Sequence, residues 1–132
     1  MSTSWEADLI AGVHSLMNRQ LPEAEALLRS ALTKAEAEIG AGDRRLASIL
    51  GPLAAVCSEQ GDYDGATEFW MRRLGVEESV WGSEHPIVAK TLSALAGVYR
   101  KLGRETEAVE AEARAQLIWD QHALTLRTDF ES

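Results

Sequence analysis

The 132-residue chain is 45% apolar but only 6% aromatic, so it allows one domain or a short repeat array whose core uses Ala and Leu at close backbone approach. Its formal charge of −8 opposes binding to nucleic acid or an anionic membrane, no leader pattern opens the chain, and no apolar run approaches the roughly 18 residues of a membrane span, so a soluble chain of cytoplasmic type is expected. Cys57 is the only cysteine, which excludes an internal disulfide and any multi-thiolate metal site, and nothing else in the sequence calls for a metal or cofactor.

The chain repeats itself. Gly40 and Gly82, Leu50 and Leu92, Leu53 and Leu95, Val56 and Val98, and Gly61 and Gly103 each stand 42 positions apart, and Ala24, Ala66 and Ala108 continue the series. These matches are spaced like helix faces, and they divide the chain into units at 3–40, 43–82 and 85–126 with a tail at 127–132. In the first unit, strict 42-residue registration sets Asp8, Ala11 and Ser15 on the packing stripe of helix 1. A turn one residue shorter at "NRQLP" would set Leu9, Gly12, Val13 and Leu16 there instead, and this slip is the favoured reading. Without the slip, Ile10, Val13 and Met17 form an apolar end to the surface beside them. The second helix of the unit starts near Pro22, a residue suited to a first helical turn, and runs through Ala24, Leu27, Leu28, Ala31 and Leu32.

In the second unit Leu46, Leu50, Leu53 and Cys57 make one apolar stripe, "EQGDYDG" a turn, and Ala66, Phe69, Trp70 and Leu74 a second helix. Pro52 falls inside the first of these helices, so a bend is expected at "ILGPL" with the Ser48 carbonyl left unbonded. In the third unit Val88, Leu92, Leu95, Tyr99 and Leu102 recur at helical spacing, Gly103 ends the helix, and a second helix follows from Glu105 to Leu126 with Ala108, Ala111, Ala115 and Ile118 packing.

Leu92, Leu95, Ala96, Tyr99, Gly103 and Ala108, with Leu50, Leu53, Ala54, Cys57, Gly61 and Ala66 behind them, resemble the signature of tetratricopeptide repeats. The 42-residue unit "WGSEHPIVAKTLSALAGVYRKLG" is similar to the longer repeat of the kinesin light chain family. The resemblance implies an all-α, right-handed solenoid of three helix-turn-helix pairs, six helices in all, with no catalytic role. It also implies a concave groove, lined by the first helix of each pair, that receives a peptide or a partner's helix. The matching groove positions are Lys90, Ser93, Gly97, Arg100 and Lys101 in the third unit and Ser48, Ala55 and Glu59 in the second. Three cations on one helix of an acidic protein suggest an acidic segment or a C-terminal carboxylate as the partner, with Lys90 and Lys101 as point charges. The paired Asn usual in that family is replaced by Gly51-Pro52 and Ser93-Ala94, which alters its mode of holding a bound backbone.

"GSEHP", the one stretch that looks like a chemical site, aligns with the linker around Asp43. Gly82 ends a helix, Pro86 starts the next, and Ser83 or His85, the latter replaced by Asp43 in the copy, caps it. No partner base or second ligand stands at a recognisable spacing. "DYDG" begins like a calcium loop but lacks the later ligands, so a turn is expected. Cys57 on an apolar stripe reads as a buried inert thiol, and the four tryptophans read as packing residues. A short array must also close its ends. Ile118, Trp119, Leu126 and Phe130 either fold back as a cap or form an oligomer interface, which makes a self-assembling homo-oligomeric scaffold the alternative to a peptide-binding module.

Overall fold

The computed structural model describes residues 3–131, with side chains to residue 129. Six α-helices run in order: α1 (Trp5–Met17), α2 (Leu21–Ile39), α3 (Ala47–Glu59), α4 (Tyr63–Trp81), α5 (Pro86–Lys101) and α6 (Glu105–Glu131). They form three antiparallel pairs, α1/α2, α3/α4 and α5/α6, each packed on the next. Among the described residues no helix is long and apolar enough to cross a membrane.

The backbone obeys the 42-residue period in every turn. Gln20, Asp62 and Arg104 each donate an N–H to the carbonyl five residues back, Ser15, Cys57 and Tyr99, at 2.8 Å in all three. The residues just before them, Arg19, Gly61 and Gly103, have φ of 62°, 81° and 76°. This left-handed residue stops the first helix of each pair and reverses the chain. Between pairs, Gly40 and Gly82 end α2 and α4 at φ of 89° and 90°. Asp43 and His85 then cap the following helices: Asp43 Oδ1 accepts from the Arg45 N–H at 2.8 Å and His85 Nδ1 from the Ile87 N–H at 3.1 Å. "GSEHP" is therefore a joint, as the sequence indicates, and so is "DYDG", where Asp62 caps α4 through the Gly65 N–H.

This period overturns the one-residue slip favoured for α1. The turn at residues 18–20 has the same length as its two copies, and Trp5, Asp8, Gly12 and Ser15 are the buried residues of α1. Leu9, Val13 and Leu16 pack only partly against the core. The strict register prevails because a polar stripe can be satisfied here: Asp8 accepts hydrogen bonds from Thr3, Ser30 and Lys34, the last at 2.7 Å. These contacts hold its carboxyl at about 2, below the usual range, with the Lys34 bond the largest cause. Ala11, which strict registration also placed on the stripe, is exposed.

The larger core joins α1 through α4 around Leu28, Leu46, Ile49, Leu50 and Leu53, and a smaller one joins α5 and α6 around Val88, Leu92, Ala96, Ala108 and Ile118. Each fully buried Leu contributes roughly 1.5–3 kcal/mol. Cys57 lies in the larger core, and burial pushes its thiol up to about 11, as an inert packing residue requires.

α3 is continuous from Ala47 to Glu59, so Pro52 does not split it into two helices. Just before it, Arg44–Leu46 winds as a 3₁₀ helix, and the Ser48 hydroxyl donates to the Arg45 carbonyl at 2.6 Å. α6 does not stop at Leu126 but continues to Glu131, so most of the expected tail is helical. Its last residues do not fold back: from Asp120 to Asp129 every side chain is exposed.

Candidate functional site: the groove along the first helices

Strict registration sets the groove positions of α1, α3 and α5 in rows 42 residues apart: Ile10, Pro52 and Ala94; Val13, Ala55 and Gly97; Met17, Glu59 and Lys101. At the α1 end the row is apolar and open, with Ile10 71% and Met17 75% exposed. This is the apolar groove end that follows when α1 does not slip. At the α5 end Lys90 and Lys101 are exposed and, among the described residues, make no ion pair. The groove therefore passes from bare apolar side chains to uncompensated cations within three helices.

Between α3 and α5 lies a pocket of about 540 Å³. Ala55, Ser58 and Glu59 form one wall, Ala94, Gly97 and Lys101 the other, and Tyr63 and Trp70 of α4 the floor. Of the residues expected in the groove, Ala55, Glu59, Gly97 and Lys101 meet in this pocket. Glu59 also pairs with Arg19 at 2.8 Å, so its charge is answered. Ser93 and Lys90 are exposed on α5 outside the pocket, and Ser48 donates its hydroxyl to the Arg45 carbonyl in the 3₁₀ turn before α3.

Arg100 does not belong to the groove. Its guanidinium is held by both carboxylate oxygens of Glu112, one at 2.7 Å, and by Glu105 at 3.3 Å. These contacts raise its pKa, the Glu112 bond foremost. Arg100 is one position beyond the packing residue Tyr99, on the side that α6 occupies, which removes it from the set of free cations.

The sequence reading missed the floor. Trp70 was grouped with the packing residues of α4, but it is only half-buried. Arg73 lies over the Trp70 ring, 5.7 Å from its centroid. Arg73 in turn bonds Glu77 through Nε at 3.1 Å, and Glu77, 0% exposed, also accepts from the Thr91 hydroxyl of α5. Space for the guanidinium comes from Gly51, where a Cβ would collide with Arg73. One junction earlier the same positions are Ala31, Ala35 and Ile49, all fully buried and apolar, with Leu9 at the place of Gly51. The signal was therefore present as a departure from the repeat: a polar set at an apolar seam, facing a glycine.

The expected oligomer interface is also revised. Ile118 is buried in the smaller core and Trp119 packs half-buried against it, so neither is an open face. Leu126 is exposed, and the side chain of Phe130 lies outside the described residues. Arg100, Glu105 and Glu112 instead put ion pairs on the last helix pair.

No protein-family model and no curated protein matches the chain. Solved structures do. BtubC (BKLC) from P. vanneervenii matches 90% of this chain and 48% of its own at 21% identity and a TM-score of 0.83. MamA matches 92% of this chain and 61% of its own at 21% identity and a TM-score of 0.70. The TPR domain of Arabidopsis FLU matches 94% and 95% at 20% identity and a TM-score of 0.69. The chain thus spans about half to three-fifths of the first two structures and nearly all of the third. At these identities the likeness bears on architecture alone, and the architecture is a tetratricopeptide-like α-solenoid of three helical pairs.

Proposed function

We propose that this chain is a non-catalytic interaction module of the kinesin light chain-like type, and that its groove takes an extended acidic segment of a protein partner. The observation that supports it most directly is the pocket between α3 and α5: small residues Ala55, Ala94 and Gly97 open it, Trp70 and Tyr63 floor it, and Lys101 stands at its rim. An apolar side chain of the segment enters over Trp70 while its carboxylates meet Lys101 and Lys90. The 42-residue unit supports the subtype. With Gly51-Pro52 and Ser93-Ala94 in place of paired amides, backbone capture gives way to side-chain capture in the pocket. Lys90 and Lys101 are exposed, so each pairing contributes only about 0–1 kcal/mol and steers more than it holds. The buried contact with Trp70 supplies the rest. A cytoplasmic location fits this role.

The test is a peptide array of acidic and neutral segments, followed by titration of the best binder against wild type, Lys101→Glu and Lys90→Glu/Lys101→Glu. The reading expects acidic peptides to dominate, affinity to fall about tenfold in the double variant, and binding to weaken with added salt. Equal binding of neutral peptides, or indifference to both charge reversals, would reject it.

A further inference from the structure

The seam between α3 and α5 holds a guanidinium with only one of its edges in use. Arg73 of α4 is bonded through Nε to Glu77 at 3.1 Å, and its Nη1 and Nη2 hold no hydrogen bond among the described residues. Both terminal nitrogens stay open to solvent, and the side chain as a whole is 26% exposed. Its place is fixed from three sides. Glu77, fully buried, is itself held by the Thr91 hydroxyl of α5. The Trp70 ring centroid lies 5.7 Å from the guanidinium carbon, and Gly51 of α3 leaves room for Nη1. The first junction fills the positions of Arg73, Glu77 and Thr91 with Ala31, Ala35 and Ile49, so the fold itself does not require the charges. An ion pair set into a seam is generally no more stabilising than apolar side chains of similar volume, so this one answers to the surface above it.

We infer that Arg73 is the anchor for one carboxylate of the segment bound in the groove, with Glu77 and Thr91 as its positioning residues; this rests on the groove reading above and narrows the segment the groove takes. The last helix pair shows the chemistry. There Arg100 gives Nε to Glu105 at 3.3 Å and its two Nη to the two oxygens of Glu112, so one guanidinium serves two carboxylates by two edges. Arg73 already has its first carboxylate in Glu77 and presents the second edge unbonded. A second carboxylate at that edge has the exposed Lys90 and Lys101 of α5 to offset its charge. The distance to Trp70 then sets the spacing. Along an extended chain, side chains two residues apart share a face at about 6.5–7 Å, close to the 5.7 Å between Arg73 and the Trp70 ring. The segment is therefore one whose acidic residue stands two positions from the apolar residue that enters over Trp70.

The probes are the peptides N-acetyl-Leu-Ala-Glu-amide and N-acetyl-Leu-Ala-Gln-amide, titrated while the Trp70 indole N–H signal is followed in about 0.5 M salt, where the exposed lysines are largely screened. Wild type is expected to prefer the Glu peptide about fivefold or more, and Lys90→Ala/Lys101→Ala to keep that preference. Arg73→Gln should bind the two peptides equally. Thr91→Val, which frees Glu77 without altering the groove, should lower the preference about twofold and leave the Gln peptide unaffected, a split that lost packing alone does not give. If Arg73→Gln does not fold, Arg73→Ala/Glu77→Ala/Thr91→Ile, which copies the first junction, should fold and show no preference. A preference that survives in either Arg73 variant, or that disappears in Lys90→Ala/Lys101→Ala, overturns the inference and leaves the groove reading standing. Absence of any indole shift with both peptides at millimolar concentration overturns the inference and the groove reading together.

Discussion

Arg19 holds φ of 62° at a position where the two other units use glycine. The left-handed conformation costs a residue with a Cβ about 1–2 kcal/mol, and the exposed ion pair with Glu59 returns no more than about 0–1 kcal/mol. Arg19→Gly is therefore expected to raise the unfolding free energy by roughly 0.5–1 kcal/mol in a urea titration, even after the added freedom of the unfolded chain. Asp8 makes the opposite kind of contribution. Its folded pKa of about 2 lies below the 3.8 of an ordinary aspartate, so its stabilisation is complete above about pH 4 and is lost as pH falls toward 2. Acid unfolding of wild type should steepen across that window. Asp8→Asn should be less stable at pH 7 and should lose that part of the acid dependence; an unchanged acid limb would argue against the Lys34 contact as its cause.

At the scale of the element, α3 carries a proline that its sister helix replaces with Ala94. Pro52 lies in the second turn and deprives the Ser48 carbonyl of its partner, yet the helix continues, because Leu50, Leu53 and Ala54 on either side are fully buried and fix its path. Pro52→Ala should stabilise the protein by about 1–3 kcal/mol, the cost of an interior proline less the entropy it removes from the unfolded chain. A loss of stability would mean that the ring packs better than a restored hydrogen bond. The same helices define what could be read in advance. The 42-residue spacing of Leu, Ala and Gly made five of the six helices, both joints and the α5 stripe legible, since those positions are governed by burial and backbone conformation alone. The register of α1 was misjudged because apolar count favoured Leu9 and Val13, while a bonded carboxylate at Asp8 occupies the stripe. Arg100 was misassigned because helical spacing puts it near the groove but does not reveal that Glu112 reaches it from the next helix. Trp70, Arg73 and Glu77 went unseen because their roles depend on a missing side chain at Gly51.

Across the whole molecule the three pairs are alike in backbone and unlike at their junctions. The first junction is apolar and buried on the groove side, at Ala31, Ala35 and Ile49, and on the outside it leaves a pocket of about 540 Å³ beside Phe69, Arg29 and Arg72. The second is polar inside, with Glu77 buried between Arg73 and Thr91, and open on both surfaces, over Trp70 and beside Ala111. Removing one partner of a buried ion pair typically costs about 3–5 kcal/mol, so this seam is an expensive place to put charge unless it serves the surface above it. A repeat architecture allows such local specialisation, because each pair contacts only its neighbours. The second junction is thus where the proposed groove pocket lies, over Trp70.

The central claim, that the groove of α1, α3 and α5 is the surface for an acidic partner, is tested most directly by mapping backbone amide shifts on titration with the best acidic peptide. The account predicts that Gly97, Lys101 and the Trp70 indole shift together and that the α6 amides from Val109 to Arg114 stay still. Shifts confined to the α4–α6 face, with Gly97 and Trp70 unmoved, would contradict it.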